Sequence, residues 1–473
     1  MRWLDLAVIA AYLAGITWFG SRFGSKQQTL KDYFLGGKTV PWWAIAFSIV
    51  SAETSTLTVI GTPALSFQGN FGFLQLVLGY LLARIVISTL FLPAYFRGEM
   101  YTAYELMRIR FGPRIRKLTA GTFLILRTLA EGVRVFAISI VISIVLGTGE
   151  MTSIVVIICL TLFYTYEGGM TAVIWTDVVQ MLLYVAGALL SLFAILREIP
   201  GGWAHVVDLA APLHKFQIFD FRTAPLGEYL TRSYSFWGGI LGGCFLTTAS
   251  HGTEQLMVQR LLAARNEKEG RAALLGSWVV IAAQFTLFLI IGVCLFAYYR
   301  DHGLATPAVT DSIYPGYVWT HLPPVVSGLI IAAILAAAMS NLSAALNSLA
   351  STTVIDFMGG TLTTARWATI GWGAILFGVA LIARSWGSVL QAGLSIASIL
   401  YGALLGVFLL GLLTKRVGEI AAMCGMLTGL TLTLYLRFGT SVAFTWYVFI
   451  GSSATFLTGL VVSLFLKEQR ATS

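Results

Sequence analysis

Hydrophobic and polar positions divide the chain into thirteen apolar stretches, each near the length of about twenty residues that a membrane crossing needs. They run over 4–20, 41–67, 72–96, 118–146, 152–166, 172–196, 236–259, 272–299, 324–355, 366–384, 388–412, 417–436 and 443–466. Each reads as a helix, because a helix satisfies its backbone groups within one segment in lipid. The second and seventh are interrupted. SAETSTLTVIGTP (51–63) and TTASHGTEQ (247–255) both place Ser, Thr and an acid at mid-membrane depth, beside a helix-weakening Gly or Pro. The ninth carries a polar stripe. Ser340, Ser343, Asn347 and Ser351 fall within a wedge of roughly 80° at helical spacing, while the opposite face stays Leu, Ile, Ala and Met. Such a stripe must face protein or a water-filled path. It suits either helix–helix adhesion or coordination of a small hard cation.

The fold class is therefore all-α: a polytopic membrane protein of about thirteen transmembrane helices, two of them broken. Composition agrees, with 57% hydrophobic and 11% charged residues, far from soluble domains. The four cysteines sit in apolar stretches without metal-ligand spacing, so no disulfide framework is implied. A net charge of +9 could suggest nucleic acid, but the basic residues form short clusters beside the spans, so no nucleic-acid partner is expected. Most of the 30 Lys and Arg flank the odd-numbered loops and the C-terminus. That bias puts those loops and the C-terminus in the cytoplasm and the N-terminus outside, in the plasma membrane. Asp5, and the lack of a small-residue cleavage site, argue against reading the first span as a signal peptide.

Two interrupted spans five apart fit an inverted repeat, with spans 2–6 as one half and 7–11 as the other. In residues, this gives an extra N-terminal helix (1–35), a first repeat (36–196), a second repeat (236–415) and extra C-terminal helices (416–473) in one transmembrane domain. Broken helices expose carbonyls and helix ends at the bilayer midplane, where ions and substrates bind. The fourth span adds Arg127, Glu131 and Arg134 on one face, one turn apart. Glu131 can neutralise one Arg, which leaves about one positive charge in need of a partner or a purpose. A membrane enzyme would need a catalytic constellation, and no HExxH, GxSxG or paired carboxylates occur. A channel would share the stripe but needs no paired broken helices.

YTYEGGMTAVIWTDVVQ (164–180) resembles the signature of the sodium:solute symporter family. KDYFLGG (31–37), TAYELMRIRFG (102–112) and VQRLLAA (258–264) match further family motifs in order. The likeness covers nearly the whole chain and is closest in feel to bacterial sialic-acid symporters and the iodide/monocarboxylate/vitamin branch. It implies a leucine-transporter-like five-plus-five fold in which sodium ions, Na+, running down their gradient drive uptake of a small organic solute. A carboxylate is the expected solute. The alternatives are proton coupling, or a neutral sugar or amino acid.

The resemblance also implies site residues. Sodium would be held by Ser51 and Thr54 on the first broken helix, with the Ala337 carbonyl and Ser340 hydroxyl on the ninth span. Asn341 stands where the family usually has a second Ser or Thr; its amide oxygen is still a hard donor, and the other reading makes it a helix–helix hydrogen bond. Asp177 with Ser340 and Ser343 would form a second sodium site, weakened because Ala344 replaces a further hydroxyl. Alternatively, Asp177 caps the start of its helix. For solute, Ser55 and Thr58 match pocket hydroxyls, Phe71, Phe73 and Gln75 lie on the next segment, and His251, Thr253 and Glu254 sit on the second broken helix. Sialic-acid symporters carry a carboxylate-binding Arg in the fourth span. That position aligns with Ala130 here, so Arg127 and Arg134 are each displaced by about one turn, and a structural ion-pair triad is the competing reading.

Overall fold

The computed structural model describes residues 2–22, 29–97, 100–146, 150–307, 310–383 and 389–466. Helix α1 (Trp3–Ser21) leads to a short α2 (Leu30–Leu35), where Thr29 and Asp32 form a reciprocal capping box. The first broken span is α3 (Trp42–Glu53) followed by α4 (Thr56–Gln68), bent by 65°. Next come α5 (Leu74–Val86), a π-helical turn into α6 (Leu92–Tyr95), the short α7 (Ala103–Arg110) and the long α8 (Pro113–Leu146). The next helix, α9 (Glu150–Glu198), is one element with a kink at Gly169. Short helices α10 (Gly202–Ala210) and α11 (Leu226–Tyr229) precede the second broken span, α12 (Phe236–Gly252) and α13 (Gln255–Leu262). Then follow α14 (Glu267–Asp301), α15 (Ile313–His321), α16 (Val326–Thr352), α17 (Leu362–Ala383), α18 (Val389–Leu413), α19 (Glu419–Gly439) and α20 (Tyr447–Phe465).

The chain is all-helical. Among the described residues, nine helices are long and apolar enough to cross a membrane, and α3 with α4 makes a tenth. Nearly every residue of α16 is buried, so the striped helix runs through the centre of the molecule, packed on α9, α1, α8 and α17.

Both breaks fall where the sequence is interrupted, and short polar side chains build them. Thr54 is extended, and Ser55 with Thr58 forms a new capping box that restarts the helix as α4. At the second break Thr253 and Glu254 leave helical geometry, and Thr253 Oγ1 donates back to the Ala249 carbonyl at 2.8 Å.

Two expectations change here. The fifth and sixth stretches are joined without a loop: Gly169 kinks the helix at φ +54°, and a Cβ there would lie 2.6 Å from the Tyr33 carbonyl, so only glycine fits. Asp177 consequently lies inside α9, about two turns past the Gly169 kink, and caps no helix end.

Candidate functional site

The end of α3 meets the middle of α16. Because α3 stops at Glu53, the carbonyls that follow Val50 in its last turn lack the N–H groups of a continuing helix. Ser51 Oγ lies 2.7 Å from Ser340 Oγ, and Ser340 Oγ in turn donates to Asp177 Oδ1 at 2.6 Å. A hydroxyl has one proton, so Ser51 is the donor in the first contact. Thr54 Oγ1 donates to the Val50 carbonyl at 2.8 Å and accepts Gln284 Nε2 at 2.7 Å. Ala337 is fully buried on the same helix as Ser340. Four of the expected sodium residues thus lie on the two elements that meet at this junction, and all are buried.

Asn341 is engaged otherwise. Its Oδ1 accepts Arg127 Nη2 at 2.7 Å and Arg134 Nη1 at 3.1 Å, and its Nδ2 donates to the Ala52 carbonyl at 2.8 Å. Two guanidinium donors on one side and a carbonyl on the other fix the amide's orientation. Its oxygen faces cationic groups, a poor setting for a metal ligand, so the structure favours the helix–helix reading of this residue.

Asp177 is fully buried and its oxygens are occupied. Oδ2 accepts Ser48 Oγ at 2.5 Å and Arg260 Nη2 at 2.8 Å, while Oδ1 accepts Ser340. Ser343 does not join it; its hydroxyl donates to the Ser340 carbonyl at 2.9 Å.

The charges of α8 also have more partners than the sequence suggested. Glu131 Oε2 accepts Arg127 at 2.7 Å and Arg134 at 3.2 Å, and Glu254 Oε1 meets Arg127 at 3.3 Å. Tyr401 donates to the other Glu254 oxygen. With Glu254 included the cluster holds two guanidiniums and two carboxylates, so no positive charge is left over. Arg127 is buried, whereas the Arg134 side chain is 26% exposed. It opens into a narrow cleft that Ser55, Thr56, Glu131, Asn341 and the apolar Val135, Ile138 and Leu342 also line.

Of the other residues expected at the solute site, Thr58 lies 3.4 Å from the Ser55 hydroxyl. Phe71, Phe73 and Gln75 are placed elsewhere. Phe71 packs on Phe216 and Phe73 on Tyr234 and Phe285, and Gln75 Nε2 donates to the Tyr234 carbonyl at 2.7 Å. All three bind the 199–235 segment, which covers the far end of α5, and none lines the cleft. His251 Nε2 lies 3.3 Å from Glu53 Oε2, and Arg84 Nη2 holds the same oxygen at 2.6 Å.

Sequence reasoning missed the pairs Glu53–Arg84 and Asp177–Arg260. The signal was present: Glu53, Arg84 and Asp177 are charges inside apolar spans, and such charges require partners.

A model of the sodium:solute symporter family matches residues 33–429. Sodium-coupled monocarboxylate transporter 2 of Mus musculus is 29% identical over 88% of this chain and 68% of its own length. The sodium/sialic acid symporter of Proteus mirabilis is 28% identical over 97% of this chain and 95% of its own. Among solved structures, a Na+-coupled sialic acid symporter in a substrate-bound outward-open state superposes with a TM-score of 0.89 at 26% identity, covering 99% of both chains.

Proposed function

The chain belongs to the sodium:solute symporter family, and from that premise we propose that it couples inward sodium movement to uptake of a small organic carboxylate by alternating access. The observation that carries the solute class is Arg134, the one guanidinium of its cluster that reaches the cleft, beside Ser55 and Asn341. A carboxylate entering there would take over the donor Nη1, which Arg134 now divides between Glu131 and Asn341. Sialic acid and monocarboxylates, the solutes of similar transporters, both present that group. Sodium would bind between the open carbonyls of Ser51 and Thr54, the Ala337 carbonyl and the Ser340 hydroxyl, all hard oxygens. Asn341 would occupy the Ala52 carbonyl through its Nδ2 rather than serve as a ligand.

A neutral solute is the second reading, favoured by the balanced charge of the Arg127–Glu131–Arg134–Glu254 cluster. Uptake into proteoliposomes under an inward sodium gradient, comparing sialic acid, short monocarboxylates, a hexose and a neutral amino acid, separates the two. Uptake that needs only a proton gradient would overturn sodium coupling.

The architecture fits two five-helix repeats in a thirteen-span chain. Helix α3 packs on α14 as α12 packs on α5, and α16 packs on α9 as α18 packs on α8. These pairs interchange when spans 2–6 and 7–11 exchange places. In the membrane the N-terminus lies outside and the C-terminus in the cytoplasm, as the Lys and Arg distribution indicates.

A further inference from the structure

The polar stripe of α16 serves two different neighbours. Ser340 faces Asp177 and Ser51, but further along the helix the stripe meets α13. Gln259 Nε2 donates to Asn347 Oδ1 at 2.5 Å and to the Phe34 carbonyl at 2.7 Å. Gln255 Nε2 donates to Ser351 Oγ at 3.2 Å, and Ser351 Oγ to Gln259 Oε1 at 3.4 Å. All four side chains are buried, and Asn347 Nδ2 has no hydrogen-bond partner.

We infer that this contact is the cytoplasmic exit for sodium and solute, held shut here by an amide latch between Gln259 and Asn347. The inference rests on the symport reading and its orientation, in which α13 is the cytoplasmic half of the second broken span. Apolar side chains would hold α13 on α16 at least as well, because buried neutral hydrogen bonds contribute little net stability. A polar lining on both faces suits surfaces that water covers in another state. The unmet Asn347 Nδ2 gains its partner when water enters. The latch lies on the same helical face as Ser340, two turns on, so parting it extends the ion site toward the cytoplasm. Helix α13 is a separate eight-residue rod behind the break at Thr253–Glu254, free to swing without unfolding α12. The latch itself carries no charge, so opening it strips no ion pair. Arg260, next along α13, is paired with Asp177 at 2.8 Å, and its long side chain would let the backbone of α13 move while that pair stays closed.

The test uses Ser351→Cys with Cys159, Cys244, Cys294 and Cys424 replaced by Ser. A membrane-impermeant maleimide applied to inside-out vesicles should label position 351. Adding Gln259→Leu and Asn347→Leu keeps the packed volume but removes the reason for water to enter, so labelling should fall at least about tenfold. Unfolding of the leucine pair would show in its thermal melt, and the single Ser351→Cys variant then still decides: no labelling from the cytoplasmic side overturns the exit. Equal labelling with and without the leucines overturns the latch. Labelling only from the outer face would instead overturn the orientation on which the inference rests.

Discussion

Asn341 of α16 is bound to Arg127 of α8 by a 2.7 Å hydrogen bond from Nη2 to Oδ1, with both side chains buried. Arg134 donates to the same oxygen, and the Asn341 amide nitrogen supports the Ala52 carbonyl at the end of α3. One amide therefore joins the cleft, through Arg134, to the helix end where sodium is proposed to bind. A solute that draws Arg134 away would change the hold on Asn341, and through it the position of the α3 carbonyls. That is a physical route for coupling solute and sodium occupancy, because any shift each causes in the other's affinity must be reciprocal.

Sodium affinity should depend on Ser340 and Asn341 in opposite ways. Ser340→Ala removes a ligand oxygen and should raise the sodium concentration for half-maximal uptake by roughly 5- to 150-fold, corresponding to about 1–3 kcal/mol. Asn341→Ser frees the Ala52 carbonyl and supplies a hydroxyl beside Ser340, and should lower it. Sodium titration of uptake in both variants checks this; an unchanged half-saturation in Ser340→Ala would count against the site.

Arg134 and Arg127 should separate binding from stability. Arg134→Ala removes the exposed donor, so carboxylate affinity should fall by roughly 10- to 150-fold while the protein stays folded, a charged hydrogen bond being worth about 1.5–3 kcal/mol. Arg127→Ala leaves Glu131 and Glu254 buried beside each other without their shared cation, and should destabilise the fold by about 3–5 kcal/mol. Binding isotherms and thermal melts of the two variants give the comparison. Full carboxylate affinity in Arg134→Ala would favour the neutral-solute reading.

The breaks were legible because Ser, Thr, Gly and Pro interrupt apolar runs at Ser51–Pro63 and Thr247–Gln255, and local capping chemistry decides such interruptions. The junction near Gly169 was legible as the polar, glycine-containing gap between the fifth and sixth stretches, but the cause of its sharp kink, the approach of Tyr33, is a long-range contact and was hidden. The partners of Asn341 and Asp177 were hidden for the same reason. Arg127, Ser48 and Arg260 reach them from other helices, and helical spacing shows only which residues share a face. Phe71, Phe73 and Gln75 were placed by adjacency to the first broken helix, but the chain turns away at Gly69 and the 199–235 segment claims them.

Helix α1 should stabilise α16 through Asp5. Its fully buried Oδ1 accepts the Val325 and Gly328 N–H groups at 2.7 and 2.9 Å, capping the helix that carries Ser340. Val325 holds a positive φ of +74° there, a strained setting for a β-branched residue that the cap helps to maintain. Asp5→Ala should cost about 0.5–2 kcal/mol, seen as a lower melting temperature. Asp5→Asn retains an acceptor oxygen and should recover much of the loss. Identical melting of Asp5→Ala and the wild type would refute the cap.

Sodium stoichiometry turns on Asp177. A second ion there would need free carboxylate oxygen, yet Ser48, Ser340 and Arg260 already occupy both atoms, and Arg260 supplies the compensating positive charge within the protein. Ser343, the other expected ligand, turns its hydroxyl into its own helix. Admitting sodium would mean displacing a buried guanidinium, and an unpaired buried charge costs several kcal/mol. The chain should therefore couple one sodium per solute. Asp177→Asn should lower the melting temperature by leaving Arg260 without its counter-charge, and should leave the coupling ratio of any folded fraction at one. The reversal potential at known sodium and solute gradients, with the solute's own charge subtracted, measures that ratio. A value of two in the wild type that drops to one in Asp177→Asn would restore the second sodium site and require Arg260 to move aside during transport.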